Sequence, residues 1–156
     1  MPHPPEIDYW KPAVERGFHP VGDEKYSGSL DGLPCVIAMV PVGPGSLGVL
    51  LRVDVPTSLV GTLYRRNGSV AGRIFQGGQS PLTSSVVFAS KFLVVDGASW
   101  NLNDLSCQLI EDLHLEYVQA GRDSIAILWV SEVPPDALAL HRASLLVRSL
   151  VDPAGT

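Results

Sequence analysis

The chain is poor in charge, and this shortage excludes a disordered protein. Charged residues make up 17% of the 156 residues, whereas apolar residues make up 46%. Disordered chains combine low hydrophobicity with high net charge, so this chain is expected to fold. Its length suits one domain with one core, which would bury roughly two thirds of the unfolded surface.

Positive charge is scarce as well. The sequence has 11 Lys and Arg against 16 Asp and Glu, a net charge of −5, and its densest basic pair is Arg65-Arg66 beside a predicted turn. Nucleic acid is excluded as a partner because phosphate binding needs a basic face.

Residues 1–30 lack a signal-peptide core and no apolar run could span a bilayer. We therefore expect a cytoplasmic protein without a membrane partner.

Cysteine is limited to Cys35 and Cys107, which lie far apart. A disulfide framework needs a dense set of cysteines, and a zinc site needs closely spaced pairs. We expect two buried free thiols. Acidic neighbours in the helix predicted around Cys107 would raise its thiol pKa, which is the wrong direction for a nucleophile.

Motifs for cofactors and catalysis are missing too. Gly43–Gly48 has the glycine spacing of a dinucleotide-binding loop, but the Val49–Val55 segment alternates as a strand, so no helix N-terminus would hold a phosphate. Ser80 lacks the second glycine of a nucleophile elbow. We expect no cofactor and no enzymatic activity.

Asp112, His114 and Glu116 are the best candidates for metal binding or acid–base chemistry. Their two-residue spacing would put His114 and Glu116 on one face of a strand. No second histidine is spaced to help, so we interpret the group as a solvated strand face without metal. An unfamiliar enzyme that uses these residues, or His141, is a third hypothesis for the function.

Turn residues and hydrophobic periodicity predict the order of elements. A short helix is predicted near Lys11–Arg16, and a helix capped by Asn101 carries leucines at helical spacing. The clearest helix opens at Pro134-Pro135-Asp136 and ends near Val151. The predicted strands are the hairpin Tyr26–Val42 with its turn at Asp31-Gly32, the strand Val49–Val55, a hairpin of Gly61–Arg66 and Ser69–Phe75 near a sheet edge, the long strand Val86–Val95, and a hairpin of Leu115–Val118 and Ile125–Ser131.

This order predicts an α+β fold. We expect a mostly antiparallel, curved sheet of hairpins, with two main helices and the short N-terminal helix packed on one face. Residues 1–25 are interpreted as a Pro-rich, partly ordered segment, and residues 26–152 as a single α+β domain.

Three strand segments are apolar at successive positions, so both of their faces should be buried. These segments are Val36–Val40, Phe92–Val95 and Ile125–Val130. One layer of helices covers only one face of a sheet. The second face must be covered by the curl of the sheet, by the glycine-rich hairpin or by another chain.

The final helix carries two leucines outside its predicted core arc. Leu138 and Leu145 share one side of this helix, and His141 and Arg142 border them. Apolar residues with a polar rim are typical of an interface. We predict that these residues bind a partner, with both leucines in the interface of a homodimer; a second contact with the chain's own core and exposure without a function are the alternatives.

The element order over Lys11–Val151, in a small acidic protein, resembles the secretion chaperones of bacterial export systems. The resemblance lies in topology, and the Gly61–Phe75 hairpin has no counterpart in that pattern. It implies homodimerisation and partner binding, and it assigns no residue roles.

Our first hypothesis is therefore a non-enzymatic protein-interaction or chaperone-like module, with a second copy of the chain as the first candidate partner. The competing hypothesis is a carrier of a small apolar ligand, held in a cavity between the sheet and the C-terminal helix.

Denaturation without reductant is expected to expose two reactive thiols, because Cys35 and Cys107 are predicted to be reduced in the native protein. A thiol-reactive dye added before and after unfolding measures this. No reaction after unfolding would show that the thiols are oxidised.

Overall fold

A computed structural model describes residues 10–66, 79–97 and 100–151 of the chain. These residues form an α+β fold with an open antiparallel sheet, as the sequence predicts. The strands are β1 His19–Gly22, β2 Lys25–Leu30, β3 Leu33–Gly43, β4 Ser46–Asp54, β5 Gly61–Arg65, β6 Phe92–Val95, β7 Leu115–Ala120 and β8 Ser124–Val130. The helices are α1 Lys11–Glu15, α2 Val86–Lys91, α3 Asp104–Asp112 and α4 Ala137–Val151.

All described strands join one 8-stranded sheet in the order β1-β2-β3-β4-β8-β7-β5-β6. The β2–β3 hairpin turns at Asp31 and Gly32, whose φ angles of 50° and 81° are both positive, as a type I′ turn requires. The predicted hairpins Tyr26–Val42 and Leu115–Ser131 are confirmed. The β7–β8 hairpin pairs with β4 through β8, which joins the two halves of the sheet.

One face of the sheet carries the core. Alternate side chains of the central strands are at most 2% exposed on this face, among them Cys35, Ile37, Leu51, Ile125 and Ile127. Buried residues of α1, α3 and α4 belong to the same hydrophobic cluster. Phe88 of α2 stacks on Phe92 of this face, with ring centroids 4.5 Å apart. The described helices therefore all lie on one side of the sheet.

The strand predicted over Val86–Val95 is wrong in its first part, because Val86–Lys91 forms α2. Val86, Val87 and Phe88 all have high β-propensity, so their residue types alone predict a strand. The Ser85 hydroxyl accepts a hydrogen bond of 3.1 Å from the Phe88 N–H and caps the helix. Only Phe92–Val95 continues as a strand.

Helix α3 begins later than its predicted cap at Asn101. The Asn103 side chain accepts the hydrogen bond from the Ser106 N–H, at 2.8 Å, and Asn101 instead forms a bridge with Leu82. Of the predicted leucines, Leu105 and Leu109 lie within α3, where Leu109 is 5% exposed and Leu105 is 42% exposed. Helix α4 starts as predicted, because Asp136 accepts from the Ala139 N–H at 2.8 Å.

The predicted N-terminal helix is confirmed as α1, and it packs on the sheet. Trp10 stacks on Tyr26 with ring centroids 4.2 Å apart, and its indole N–H donates to Glu24 at 3.0 Å. Trp10 and Phe18 both belong to the core. The domain boundary predicted at residue 25 stays a prediction.

The predicted glycine-rich hairpin is described only in its first arm. Its Gly61–Arg66 arm contains β5, which lies one strand in from β6, the last strand of the described sheet. The Ser69–Phe75 arm lies outside the described residues.

No described helix is both long and apolar enough to cross a membrane.

We predict that Gly28→Ala lowers the free energy of unfolding by about 1–3 kcal/mol, because it overpacks the core. A Cβ atom at Gly28 would lie 2.7 Å from ring atoms of Phe18. Gly43→Ala is the matched control, since a Cβ there meets nothing within 4 Å. Urea denaturation measures both variants, and equal midpoints would contradict the close packing of Phe18 on β2.

Candidate functional site

The sheet face away from the helices carries a continuous row of apolar and aromatic side chains. Strand pairing sets these residues side by side across six neighbouring strands, from β3 to β6. The row consists of Ala38, Leu50, Leu128, Tyr117, Tyr64 and Leu93. No helix of the described residues packs on it, and we call this surface the helix-free face.

The row forms because side chains alternate between the two faces of each strand. Leu50 lies between Val49 and Leu51, both 0% exposed on the core face, and is itself half-buried. Leu128 at the centre of the row is 4% exposed. Tyr64 and Tyr117 meet edge to face, with ring centroids 5.8 Å apart. Aromatic pairs across a strand stabilise the sheet and form a firm apolar surface.

The two tyrosines keep neutral side chains at physiological pH. Burial raises the pKa of Tyr117, and neighbouring Tyr64 raises it further. Burial also raises the pKa of Tyr64, with a further contribution from Asp96, against a hydrogen bond to Thr62 that lowers it. The rings therefore present apolar surface with an uncharged hydroxyl.

The helix-free face has a hollow of about 420 Å³ on its β1–β4 half. Lys25 and Arg52 supply its positive charge, and Arg52 also pairs with Asp54 at 3.7 Å. The other residues that line the hollow are Val21, Ser27, Val36, Ala38 and Leu50. The other half of the face carries uncharged Thr62, Gln119 and Val95 in the row beside the apolar one.

The predicted partner-binding residues of α4 differ in exposure. Leu138 is 53% exposed and lines a hollow of about 240 Å³ together with half-buried Arg142. Leu145 is partly buried and packs against the core. His141 is exposed and acts electrostatically on Asp31 at the tip of the β2–β3 hairpin.

Helix α3 explains why Leu138 and Leu145 differ. Ser106 near the start of α3 shares a 2.6 Å hydrogen bond with Ser149 near the end of α4. Asp112 at the end of α3 lines the same hollow as Leu138 near the start of α4. The two helices therefore run antiparallel, and α3 flanks the side of α4 that carries both leucines. Leu145 is covered there, whereas Leu138 lies beyond the covered part.

The acid–base candidates lie in different local structures. His114 has a φ of 54° and stands between α3 and β7, so it does not continue the strand. Glu116 is 8% exposed at the bulge between Leu115 and Tyr117, which contradicts a solvated face for this residue. Among the described residues, no three His, Cys, Asp or Glu side chains are grouped to hold a metal ion.

Both cysteines are buried and free. Burial, with a contribution from Asp54, raises the pKa of Cys35 to about 12. Burial also raises the pKa of Cys107, and Asp104 and Glu111 add to the effect while a hydrogen bond to Thr83 opposes it. The predicted direction for Cys107 is confirmed, and neither thiol is activated as a nucleophile.

A cavity of about 320 Å³ lies on the core side, between the sheet and the C-terminal half of α4. Asp31 of the hairpin turn lies at its edge and accepts hydrogen bonds from Ser144 and Arg148 of α4. The Ser144 hydrogen bond lowers the pKa of Asp31 most; partial burial opposes this, and Arg148 and His141 lower the pKa further.

Sequence reasoning missed the helix-free face as a site, although its signal was present. The successive apolar residues of Val36–Val40 predict that both faces of β3 are apolar. The row itself depends on strand register, which joins Leu50 to Leu128 and Tyr117 to Tyr64. Register between strands distant in sequence is not readable from one sequence.

Comparison of the chain with protein-family models, with curated proteins and with solved structures finds no match.

The different surroundings of Leu138 and Leu145 lead to opposite expectations for their truncation. Leu145→Ala is expected to lower the free energy of unfolding by about 1–3 kcal/mol, because it removes a partly buried core side chain. Leu138→Ala should change it by less than about 0.5 kcal/mol, as an exposed residue does. Urea denaturation of both variants measures this, and a larger loss for Leu138→Ala would refute the assignment.

Proposed function

We propose that this protein is a non-enzymatic protein-interaction module of chaperone-like type, which forms a homodimer through its helix-free face. The observation that carries the proposal is the apolar row from Ala38 to Leu93, which crosses six strands without a described helix on it. Aromatic residues within an apolar patch that has polar residues at its rim are typical of protein interfaces.

The row offers size complementarity to a second copy of itself. A two-fold axis that runs parallel to β8, above the helix-free face, packs the helix-free faces of two copies against each other. Leu128 of each copy then lies near the centre of the contact. This axis brings Leu50 over Tyr117 of the second copy, and small Ala38 over large Tyr64. Two sheets that pack face to face interdigitate side chains in this way at a separation of about 10 Å.

Charge favours the same arrangement. Lys25 and Arg52 lie on the β2–β4 half of the face, and the same axis places that half over the β7, β5 and β6 half of the second copy, where Asp96 acts electrostatically on Tyr64. Like charges would face each other if equal halves were paired, which costs association energy. The arrangement avoids this repulsion.

Half-buried side chains of the row still have apolar area to lose on association. A fully buried leucine contributes about 1.5–3 kcal/mol, so half-buried Leu50 and Leu93 would each add about 1 kcal/mol. The tyrosine pair adds larger areas. The sum has to exceed the entropic cost of association, about 4–15 kcal/mol, which requires most of the row to take part.

We predict that the wild type is a dimer and that Leu50→Lys is a folded monomer. A lysine in the row would bury an unpaired charge only in the dimer, while in the monomer it can reach solvent. Val86→Lys is the matched control, because Val86 is 82% exposed on α2, on the opposite side of the sheet. Light scattering measures mass, and circular dichroism confirms that each variant is folded.

A further variant, Leu138→Lys, tests the surface predicted on α4 in the same experiment. We expect it to remain dimeric. A monomeric wild type would overturn the proposed homodimer, and a Leu138→Lys variant that dissociates while Leu50→Lys stays dimeric would assign the interface to α4 instead.

A further inference from the structure

The cavity between the sheet and α4 has apolar walls from three separate parts of the chain. The β2–β3 hairpin, the end of β4 and the last turns of α4 each contribute to it. Its apolar lining consists of Leu30, Leu33, Val53, Val55, Val147 and Val151. Within this set Val53 is 0% exposed and Leu30 is 3% exposed, so these two wall residues also belong to the hydrophobic core.

Polar groups gather at one edge of the cavity. Asp31, Ser144 and Arg148 complete its lining, and Asp31 accepts from both of the others. The side chains of Asp31 and Arg148 are 47% and 60% exposed, so this ion pair stands at the solvent side of the cavity. The cavity therefore has an apolar interior and a polar mouth, the usual design of a small-molecule site.

The size of the cavity sets the size of its ligand. Its volume of about 320 Å³ is twice that of the roughly 150 Å³ cavity that accommodates benzene in a protein interior. A compact molecule of about ten non-hydrogen atoms suits this space. A peptide segment or a long acyl chain is too large for the cavity to enclose.

The ion pair at the mouth sets the ligand's charge. Asp31 and Arg148 neutralise each other, so a charged headgroup of either sign would compete with a pair that is already formed. Its charge would also lose hydration beside apolar walls without a new counter-ion. A neutral molecule with one hydroxyl can bond at the mouth, where Ser144 and the Asp31 carboxylate offer polar partners.

We infer that this cavity is a binding site for a small, neutral, largely apolar molecule with a single hydroxyl at one end, such as a medium-chain alcohol. The inference is independent of the proposed homodimer, because the cavity opens on the helix side of the sheet and shares no residue with the row on the helix-free face.

Thermal unfolding of the full chain with n-octanol, octanoate and octylammonium tests the inference, and native mass spectrometry counts bound molecules. We expect n-octanol to raise the midpoint of unfolding and to bind once per chain. The two charged analogues should bind at least about tenfold more weakly. Equal shifts for all three probes would overturn the assigned ligand class, and no n-octanol bound to the wild type would overturn the site.

Val151→Phe locates the site, because half-buried Val151 lines the cavity and a phenyl ring there would occupy its space. We expect this variant to lose the n-octanol shift, whereas the surface control Val86→Phe keeps it. A full shift in a folded Val151→Phe variant would place the binding elsewhere. If that variant does not fold, Leu33→Phe, which fills the same cavity from the hairpin side, replaces it, and a full n-octanol shift in that folded variant would place the binding elsewhere.

Discussion

Helices α3 and α4 pack antiparallel on one face of the sheet, and the other features of the molecule depend on this contact. The 2.6 Å hydrogen bond between Ser106 and Ser149 joins the helices inside the core, and the Asn103 side chain also accepts from Ser149 at 3.0 Å. Both serines are 1% exposed. A buried hydroxyl pair is costly unless both members are bonded, so it fixes how the helices align. That alignment covers Leu145 and leaves Leu138 exposed.

The same contact determines which side of the sheet the described helices cover. Since the described helices share one side of the sheet, the alternate side chains of β3, β4 and β8 face away from every one of them. The C-terminal half of α4 does not close fully on the β2–β3 hairpin, and a cavity remains where Asp31 reaches Arg148. The apolar row thus lies away from the described helices because they share one side of the sheet, whereas the apolar cavity remains because α4 does not close on the hairpin.

Structural elements that depend on residues adjacent in sequence could be predicted, whereas features that depend on tertiary packing could not. Asp31-Gly32 fixes its turn because few residue pairs adopt positive φ at both positions. Pro134-Pro135-Asp136 likewise marks the start of α4. The stretch Val86–Lys91 reads as a strand by composition, and only its Ser85 cap and the stacking of Phe88 on Phe92 make it a helix. The position of Leu145 depends on α3, and the row from Ala38 to Leu93 depends on register.

Hydroxyl-radical footprinting across a range of protein concentration tests the central claim, that the helix-free face is where two copies meet. Tyr64 and Tyr117 are reactive reporters on that face, and Leu138 reports on the surface of α4. Oxidation of both tyrosines is expected to fall as concentration rises through the dimer transition, while oxidation of Leu138 stays constant. Tyrosine oxidation that does not change with concentration, in a protein shown to dimerise over the same range, would contradict the account.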